Sequence, residues 1–228
     1  MMKLLLLCLY WPLSIHPESI PDDLEVYRNN KEIPESIATQ VLIALSHFPE
    51  LLETDIRFQF TGSLRGPVMA ARPVVSTMLR HRSRRAYRVL INPMFKLRHL
   101  KTPMDHIPDS VMVGWIGHEL GHIMDYQTKS SAQLAAFGLR YWSSDRFVKR
   151  AERVADTYAT QHGLGAYILA HKDFVLGHAD LPPHYKARIA RLYLSPDDIV
   201  ELIVKLENEE SDEQEETLEE AEELETEA

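Results

Sequence analysis

The pattern of apolar and polar positions is strand-like in the first half of the chain. Residues 55–60 alternate strictly, which predicts a half-buried strand, and residues 74–79 and 87–92 are further short candidates. Residues 67–71 form a short apolar segment that Pro73 closes. Because proline cannot donate to a strand ladder, we expect an edge strand there.

Helix-like patterns surround these strands and fill the second half of the chain. Residues 37–48 predict an amphipathic helix. Residues 111–126 are almost all apolar, which predicts a buried helix too short to span a membrane. The segment around Trp142 is interpreted as a connection. Further helices are predicted over residues 147–161, 164–176, 183–192 and 196–206. Strands followed by helices predict an α+β fold.

The buried helix carries the sequence His118-Glu119-Leu120-Gly121-His122. On a helix, His118 and His122 lie one turn apart on the same face. Two imidazoles at this spacing can bind one Zn²⁺, and Glu119 beside them is a candidate general base. The alternative is a pair of hydrogen-bonded core histidines. Burying these polar groups without partners is costly, which favours the metal.

Three glycines, Gly114, Gly117 and Gly121, follow the same helix at intervals of about one turn. Each costs a helix roughly 1 kcal/mol relative to alanine. Their presence therefore predicts that another element packs closely against this helix. Plain helix–helix contact explains them equally well and is compatible with a metal site.

A catalytic zinc site usually has three protein ligands and one open position. The metzincin pattern requires glycine and histidine three and six residues after His122, and Asp125 and Thr128 at those positions exclude that class. The better candidate for a third ligand is Glu152, thirty residues further along the chain.

Glu152 and Asp156 are spaced so that they share one face of the helix predicted over residues 147–161. Small alanines flank them and allow a close approach to the first helix. Asp156 can then accept the N–H of a ligand histidine and so orient it. The alternative is a solvent-facing helix in which both acids pair with Arg150 or Arg153.

The HExxH motif followed by Glu-x-x-Ala-Asp resembles the gluzincin metallopeptidases. It looks most like the catalytic core of the CAAX-prenyl-protease and heat-shock membrane-protease type. Residues 181–192 are similar to that family's His-Pro stretch followed by Arg-Ile-x-x-Leu, and Arg188 matches its arginine near the active site. Leu181 and Pro182 stand where the family has its histidine and proline. His178 or His184 could take the place of that histidine in stabilising the oxyanion, and Arg188 or a nearby tyrosine is a further candidate.

The resemblance implies a zincin-like fold. This is a small mixed sheet with an edge strand over the active-site helix, followed by a helical C-terminal part. It also implies a zinc-dependent metalloendopeptidase that hydrolyses peptide bonds of a peptide or protein substrate. One Zn²⁺ per chain would be bound by His118, His122 and Glu152, with Glu119, His184 and Arg188 taking part in catalysis. An extended substrate could pair with the edge strand at residues 67–71.

Two alternatives to this interpretation remain. The protein could be a non-catalytic zinc-binding regulatory module on the same fold, although such a site needs no carboxylate beside an open position. The second alternative concerns the identity of the metal ion. Two imidazoles and a carboxylate also suit iron, cobalt or manganese, while the motif favours zinc.

The termini differ from the rest of the 228-residue chain, so we predict one enzyme domain over residues 17–206. Residues 1–16 resemble a signal peptide or a hydrophobic terminal segment, which leaves an exported and a cytoplasmic location both open. Residues 207–228 contain 13 acidic residues and no Lys or Arg. We therefore predict a disordered tail there. Cys8 is the single cysteine, which excludes an internal disulfide.

An arginine-rich stretch at residues 79–88 raises the question of nucleic acid, since clustered arginines attract phosphates. The cluster is short and lies between two predicted strands, as a hairpin loop would. We therefore expect no nucleic-acid binding. We also expect no membrane span, because the apolar runs of the chain are too short to cross a bilayer.

Overall fold

A computed structural model of the chain describes residues 22–64, 67–96, 101–177 and 183–209. The predicted N-terminal segment, residues 1–16, lies outside these ranges, as do residues 210–228 of the predicted tail. Within them the fold is α+β, as the patterning predicts, with a small mixed sheet first and helices after it.

The main sheet has four strands in the order β1-β2-β4-β3. Their bounds are β1 Lys31–Glu32, β2 Asp55–Phe60, β3 Met69–Pro73 and β4 Ala86–Ile91. The strands β1, β2 and β4 run parallel, and β3 runs antiparallel to β4 at the edge. The predicted edge strand is therefore confirmed, shifted by two residues so that Pro73 is its last member. A separate ribbon pairs β5 (Met94–Lys96) with β6 (Lys101–Pro103).

The prediction of a strand over residues 74–79 is wrong, because this segment lies in the connection between β3 and β4. Residues Val75–Thr77 form a short 3₁₀ helix. The Thr77 hydroxyl donates to the Val74 carbonyl at 2.8 Å and accepts the Ala86 N–H at 3.0 Å, which closes the turn. The arginine-rich stretch begins in this connection between two antiparallel strands, as expected of a hairpin loop.

Eight α-helices are described in these ranges. Their bounds are α1 Asp22–Glu25, α2 Ala38–Ser46, α3 Asp109–Gln127, α4 Ser131–Ser143, α5 Asp145–Ala159, α6 Gly165–Gly177, α7 Pro183–Leu192 and α8 at residues 196–209. Among the described residues, no helix has the length and apolar character needed to cross a membrane. The helix α8 extends through residue 209, three residues into the predicted tail.

The interpretation of the segment around Trp142 as a connection is also wrong, since it is the helix α4. A capping box begins this helix, in which Ser130 and Gln133 each bind the other's backbone N–H. Leu134 and Phe137 are buried, whereas Trp142 is 86% exposed. An exposed tryptophan on the polar face obscures the helical period, which explains why the pattern did not indicate a helix.

The helix α3 lies at the centre of the fold. It packs against α2, α5, α6 and the edge strand β3, and fifteen of its nineteen residues are buried. Packing on all sides explains why its sequence is apolar around the whole circumference. The HExxH motif is therefore placed in the core, beneath the edge strand.

A break between α5 and α6 allows both helices to pack against α3. The chain leaves α5 through the segment Thr160–Leu164, where Gly163 has a φ of 78°. This left-handed conformation favours glycine. The neighbouring His162 carbonyl accepts a hydrogen bond from Nδ1 of His47 at 2.7 Å, which fixes the break against α2.

Candidate metal centre

His118 and His122 lie on one face of α3, as their spacing predicts. Their ring centroids are 4.8 Å apart and the rings are nearly perpendicular. Both side chains are buried, with 3% and 5% of the residue exposed. The two imidazoles therefore face a common point in a largely dry environment.

The helix α5 brings Glu152 and Asp156 to the same place. A Cβ at Gly121 would lie only 2.3 Å from the Ala155 carbonyl oxygen, so α3 and α5 approach more closely than a side chain allows. Glu152 is 2% exposed and Asp156 is fully buried. The solvent-facing alternative for these two acids is therefore wrong, and the predicted packing of small residues is confirmed.

Three ligand atoms converge between the helices. Oε2 of Glu152 lies 3.1 Å from Nε2 of His118 and 3.5 Å from Nε2 of His122. Ligands held at about 2.0–2.2 Å around a tetrahedral zinc are separated by roughly 3.3–3.5 Å. His118, His122 and Glu152 thus form a buried group that could hold a metal ion.

The hydrogen bonds of His118 support this fit. Its Nδ1 lies 2.8 Å from Oδ1 of Asp156, while its Nε2 faces the carboxylate of Glu152. Burial lowers the pKa of His118, but the Asp156 and Glu152 carboxylates outweigh this effect and raise the pKa to about 10. If His118 were neutral and donated from Nδ1 to Asp156, its Nε2 would direct a lone pair at the negatively charged Glu152 carboxylate. A cation between Nε2 and the carboxylate would satisfy both.

Glu152 is held by a residue that the sequence did not indicate. The Tyr141 hydroxyl, on α4, donates to Oε1 of Glu152, which leaves Oε2 for the two histidines. Burial raises the pKa of Glu152, but hydrogen bonds and charge from His118 and His122 dominate and place it well below its ordinary value. The carboxylate is therefore ionised, as a metal ligand must be.

Asp156 is the centre of a buried network. It accepts hydrogen bonds from His118, from the Lys172 ammonium at 2.9 and 3.1 Å, and from the Leu194 amide at 3.1 Å. Lys172 is fully buried, and its ammonium lies 4.1 Å from the centroid of the Tyr193 ring. Burial raises the pKa of Asp156, but Lys172 and His118 outweigh it and lower the pKa to about 2. The predicted contact between Asp156 and a motif histidine is present.

Glu119 lies beside the three ligands and contacts the edge strand. Its Oε2 accepts the Ala71 N–H at 2.5 Å. The Tyr126 hydroxyl donates to the carbonyl of the same Ala71 at 3.4 Å. Burial raises the pKa of Glu119 above its ordinary value, although His122 and His118 act in the opposite direction.

The group formed by His118, His122 and Glu152, called the metal group below, borders a cleft of about 860 Å³. Its walls include residues of β3, α4 and α7, and Phe137 and Tyr141 are among the aromatic side chains that line it. Arg188 is exposed and lines this cleft. His184 is exposed on the same helix and is not among the lining residues, and His178 lies outside the described residues.

Comparisons with known proteins add no relative. No family model matches the chain, and searches of curated proteins and of solved structures found no match either. The metal group and the cleft are therefore the observations on which a function can be argued.

Proposed function

We propose that the protein is a zinc-dependent metallopeptidase of the gluzincin type with a zincin-like fold. One observation carries the proposal, namely that two histidines and a glutamate on adjacent helices converge within ligand distance beside a second, buried carboxylate. An edge strand over the motif helix and a following helical part agree with such a fold. A zinc ion bound there would supply Lewis acidity toward a water molecule and toward the carbonyl of a peptide.

Glu119 is the proposed general base. The Ala71 amide holds Oε2, which leaves Oε1 as the oxygen that can take a proton from water and return it to the leaving amine. Burial raises the pKa of this carboxyl group, which brings it closer to the pH at which a base is most effective. Its position against the strand also fixes its orientation toward the cleft.

The surrounding residues act by orientation. Asp156 holds the Nδ1 proton of His118 and so keeps the Nε2 lone pair toward the metal position. Lys172 neutralises Asp156 in the core, and Tyr141 fixes the second oxygen of Glu152. Asp156 and Lys172 are buried and Tyr141 is part-buried, so these contacts organise the ligand set before any ion binds.

The cleft fits an extended peptide along the edge of the sheet. The Val68 carbonyl accepts a hydrogen bond from the N–H of Asn92, the residue that follows β4. Because every second residue of an antiparallel pair makes such bonds, Met69 and Ala71 direct their backbone groups away from β4. A peptide could add to this edge as a further strand. Arg188, at the rim of the cleft, remains our candidate for binding the oxyanion.

A non-catalytic zinc-binding module on the same fold is the second candidate. One observation favours it, since the N–H of Ala71 already binds Glu119 and its carbonyl accepts from Tyr126. A substrate strand pairs at this position only if it displaces both side chains. In such a module Glu119 would brace the strand rather than act as a base.

A single digestion experiment separates the two candidates. The full chain, loaded with one equivalent of Zn²⁺, is incubated with a mixture of proteome-derived peptides, and products are identified by mass spectrometry. We expect cleavage that 1,10-phenanthroline abolishes and that Glu119→Gln lacks. Zinc binding at one ion per chain without any cleavage would support the module, and absence of zinc binding would refute both candidates.

A further inference from the structure

A third buried imidazole lies in the cleft, and it does not belong to the group of converging ligands. His171, on α6, is 2% exposed and lines the cleft. Its ring packs against that of Trp115 at a centroid distance of 4.9 Å and lies 6.5 Å from the ring of His118. The three converging ligands do not include it. A buried polar side chain at this position therefore calls for a different explanation.

The position of the proton on this ring follows from its surroundings. Nδ1 of His171 is buried and has no hydrogen-bond partner in the described part of the chain. A buried N–H without an acceptor is costly, and a neutral imidazole can place its single proton on the other nitrogen instead. The favoured tautomer of His171 therefore carries its proton on Nε2, at the ring edge away from the main chain.

Burial also favours the uncharged ring. Only 2% of His171 is exposed, and the next residue is the buried Lys172, so a second positive charge at this position would be costly. His171 therefore offers one neutral N–H donor in the cleft.

Close helix packing holds this donor in place. A Cβ at Gly114 would lie 2.2 Å from the Tyr167 carbonyl oxygen and 3.0 Å from Cβ of His171, so α6 rests directly on α3. With its Cβ fixed there and its ring packed at a tilt against Trp115, the side chain has little room to turn. A fixed donor of this kind binds an acceptor with a small loss of entropy.

We propose that His171 is a substrate-binding residue, whose Nε2–H donates to a main-chain carbonyl of a peptide lying across the Trp115 end of the cleft. The proposal rests on the peptidase function proposed above. Main-chain carbonyls suit this donor because they are uncharged acceptors that recur along any extended peptide. Trp115 supplies the apolar wall against which the same stretch of peptide packs.

Three substitutions at this position separate substrate binding from packing. The amide nitrogen of glutamine reaches the position of Nε2, that of asparagine reaches only the position of Nδ1, and leucine has no donor. With fluorescein-labelled casein and zinc-loaded full-length protein, we expect kcat/KM to fall about tenfold in His171→Leu and His171→Asn. His171→Gln should remain within about threefold of the wild type, with the midpoint of thermal unfolding and the zinc content recorded for all four proteins.

The outcomes are distinct. Equal kcat/KM in the wild type and His171→Leu, or losses that follow thermal stability in all three variants, would overturn the role of His171 alone. Absence of any casein cleavage by the wild type would overturn both this role and the proposed function. A long-range ¹⁵N–¹H spectrum of the wild type gives a test without variants, since a proton on Nδ1 rather than Nε2 of His171 would also overturn the proposal.

Discussion

The Ala71 amide donates to Oε2 of Glu119 at 2.5 Å, so the edge strand and the motif helix meet at the proposed base. Glu119→Gln keeps an oxygen that can accept this hydrogen bond but cannot take a proton. We expect peptidase activity to fall by about 10²–10⁴ while zinc stoichiometry and thermal unfolding stay unchanged. Peptide cleavage and metal analysis of the same preparation measure both. Full activity in this variant would assign the base elsewhere.

Removing the carboxylate ligand should weaken metal binding directly. Glu152→Gln replaces a charged ligand oxygen by a neutral one beside His118 and His122. We expect zinc affinity to fall by more than about tenfold in a competition titration with a chromophoric chelator. Glu201→Gln, which changes an exposed glutamate on α8, is the matched control and should leave the affinity unchanged. Equal affinities in the two variants would remove Glu152 from the ligand set.

Zinc binding should release a proton from His118. With a pKa of about 10, His118 carries a second proton at neutral pH, and Nε2 must lose it before it can bind a metal. The zinc association constant should therefore rise with pH, by about tenfold per unit between pH 6 and 8. Calorimetry in buffers of different ionisation enthalpy counts the released protons, and we expect about one from this site. An affinity independent of pH over this range would contradict the proposed protonation.

The buried Lys172–Asp156 pair should matter more for stability than an exposed pair. Lys172→Met leaves the Asp156 carboxylate in the core without its main partner, and we expect the free energy of unfolding to fall by about 3–5 kcal/mol. Asp145→Asn breaks the exposed pair with Arg191 and should change it by less than about 1 kcal/mol. Urea titrations of both variants measure the difference.

The same pair should make the stability of the fold depend on pH in the acid range. Because folding lowers the pKa of Asp156 from 3.8 to about 2, its contribution to stability is complete above pH 4 and is lost as the pH falls toward 2. Asp156→Asn should be less stable at pH 7 and should show a flatter loss of stability across this acid range. An identical acid slope in wild type and variant would mean that Asp156 is not ionised in the folded protein.

Two glycines should respond in opposite ways to alanine. A Cβ at Gly121 meets the backbone of α5 at 2.3 Å, so Gly121→Ala should separate the helices, lowering both stability and zinc affinity. Gly138, inside α4, has nothing within 4 Å of an added Cβ. Gly138→Ala should therefore raise the free energy of unfolding by about 0.5–1 kcal/mol through helix propensity. A neutral effect at Gly121 would refute the close approach of α3 and α5.

The parts of the site that depend on local spacing were predictable. His118 and His122 follow from the helical period, and the alanines around Glu152 indicated a helix that packs closely enough to supply a third ligand. These inferences need only the geometry of one helix and the size of its side chains. The α+β fold follows from the same kind of patterning.

The residues that escaped prediction come from elements whose relative position depends on turns. Lys172 reaches Asp156 only because the chain changes direction at Gly163, and no local pattern encodes that angle. Tyr141 lies on α4, which the sequence pattern did not indicate because the exposed Trp142 obscures the helical period. His184 was chosen by its position in a motif, yet α7 places it outside the cleft-lining set.

The Glu152 ligand has a consequence for the unfolded chain as well as for the site. An ion held by His122 and Glu152 would close a loop of about thirty residues that contains the whole of α4. Cys8 is the single cysteine, so no disulfide can play this part. In a chain-entropy treatment, a closure of this length is worth about 3–4 kcal/mol. The metal would therefore act as an internal cross-link that joins α3 and α5, the helices on either side of α4 in the chain.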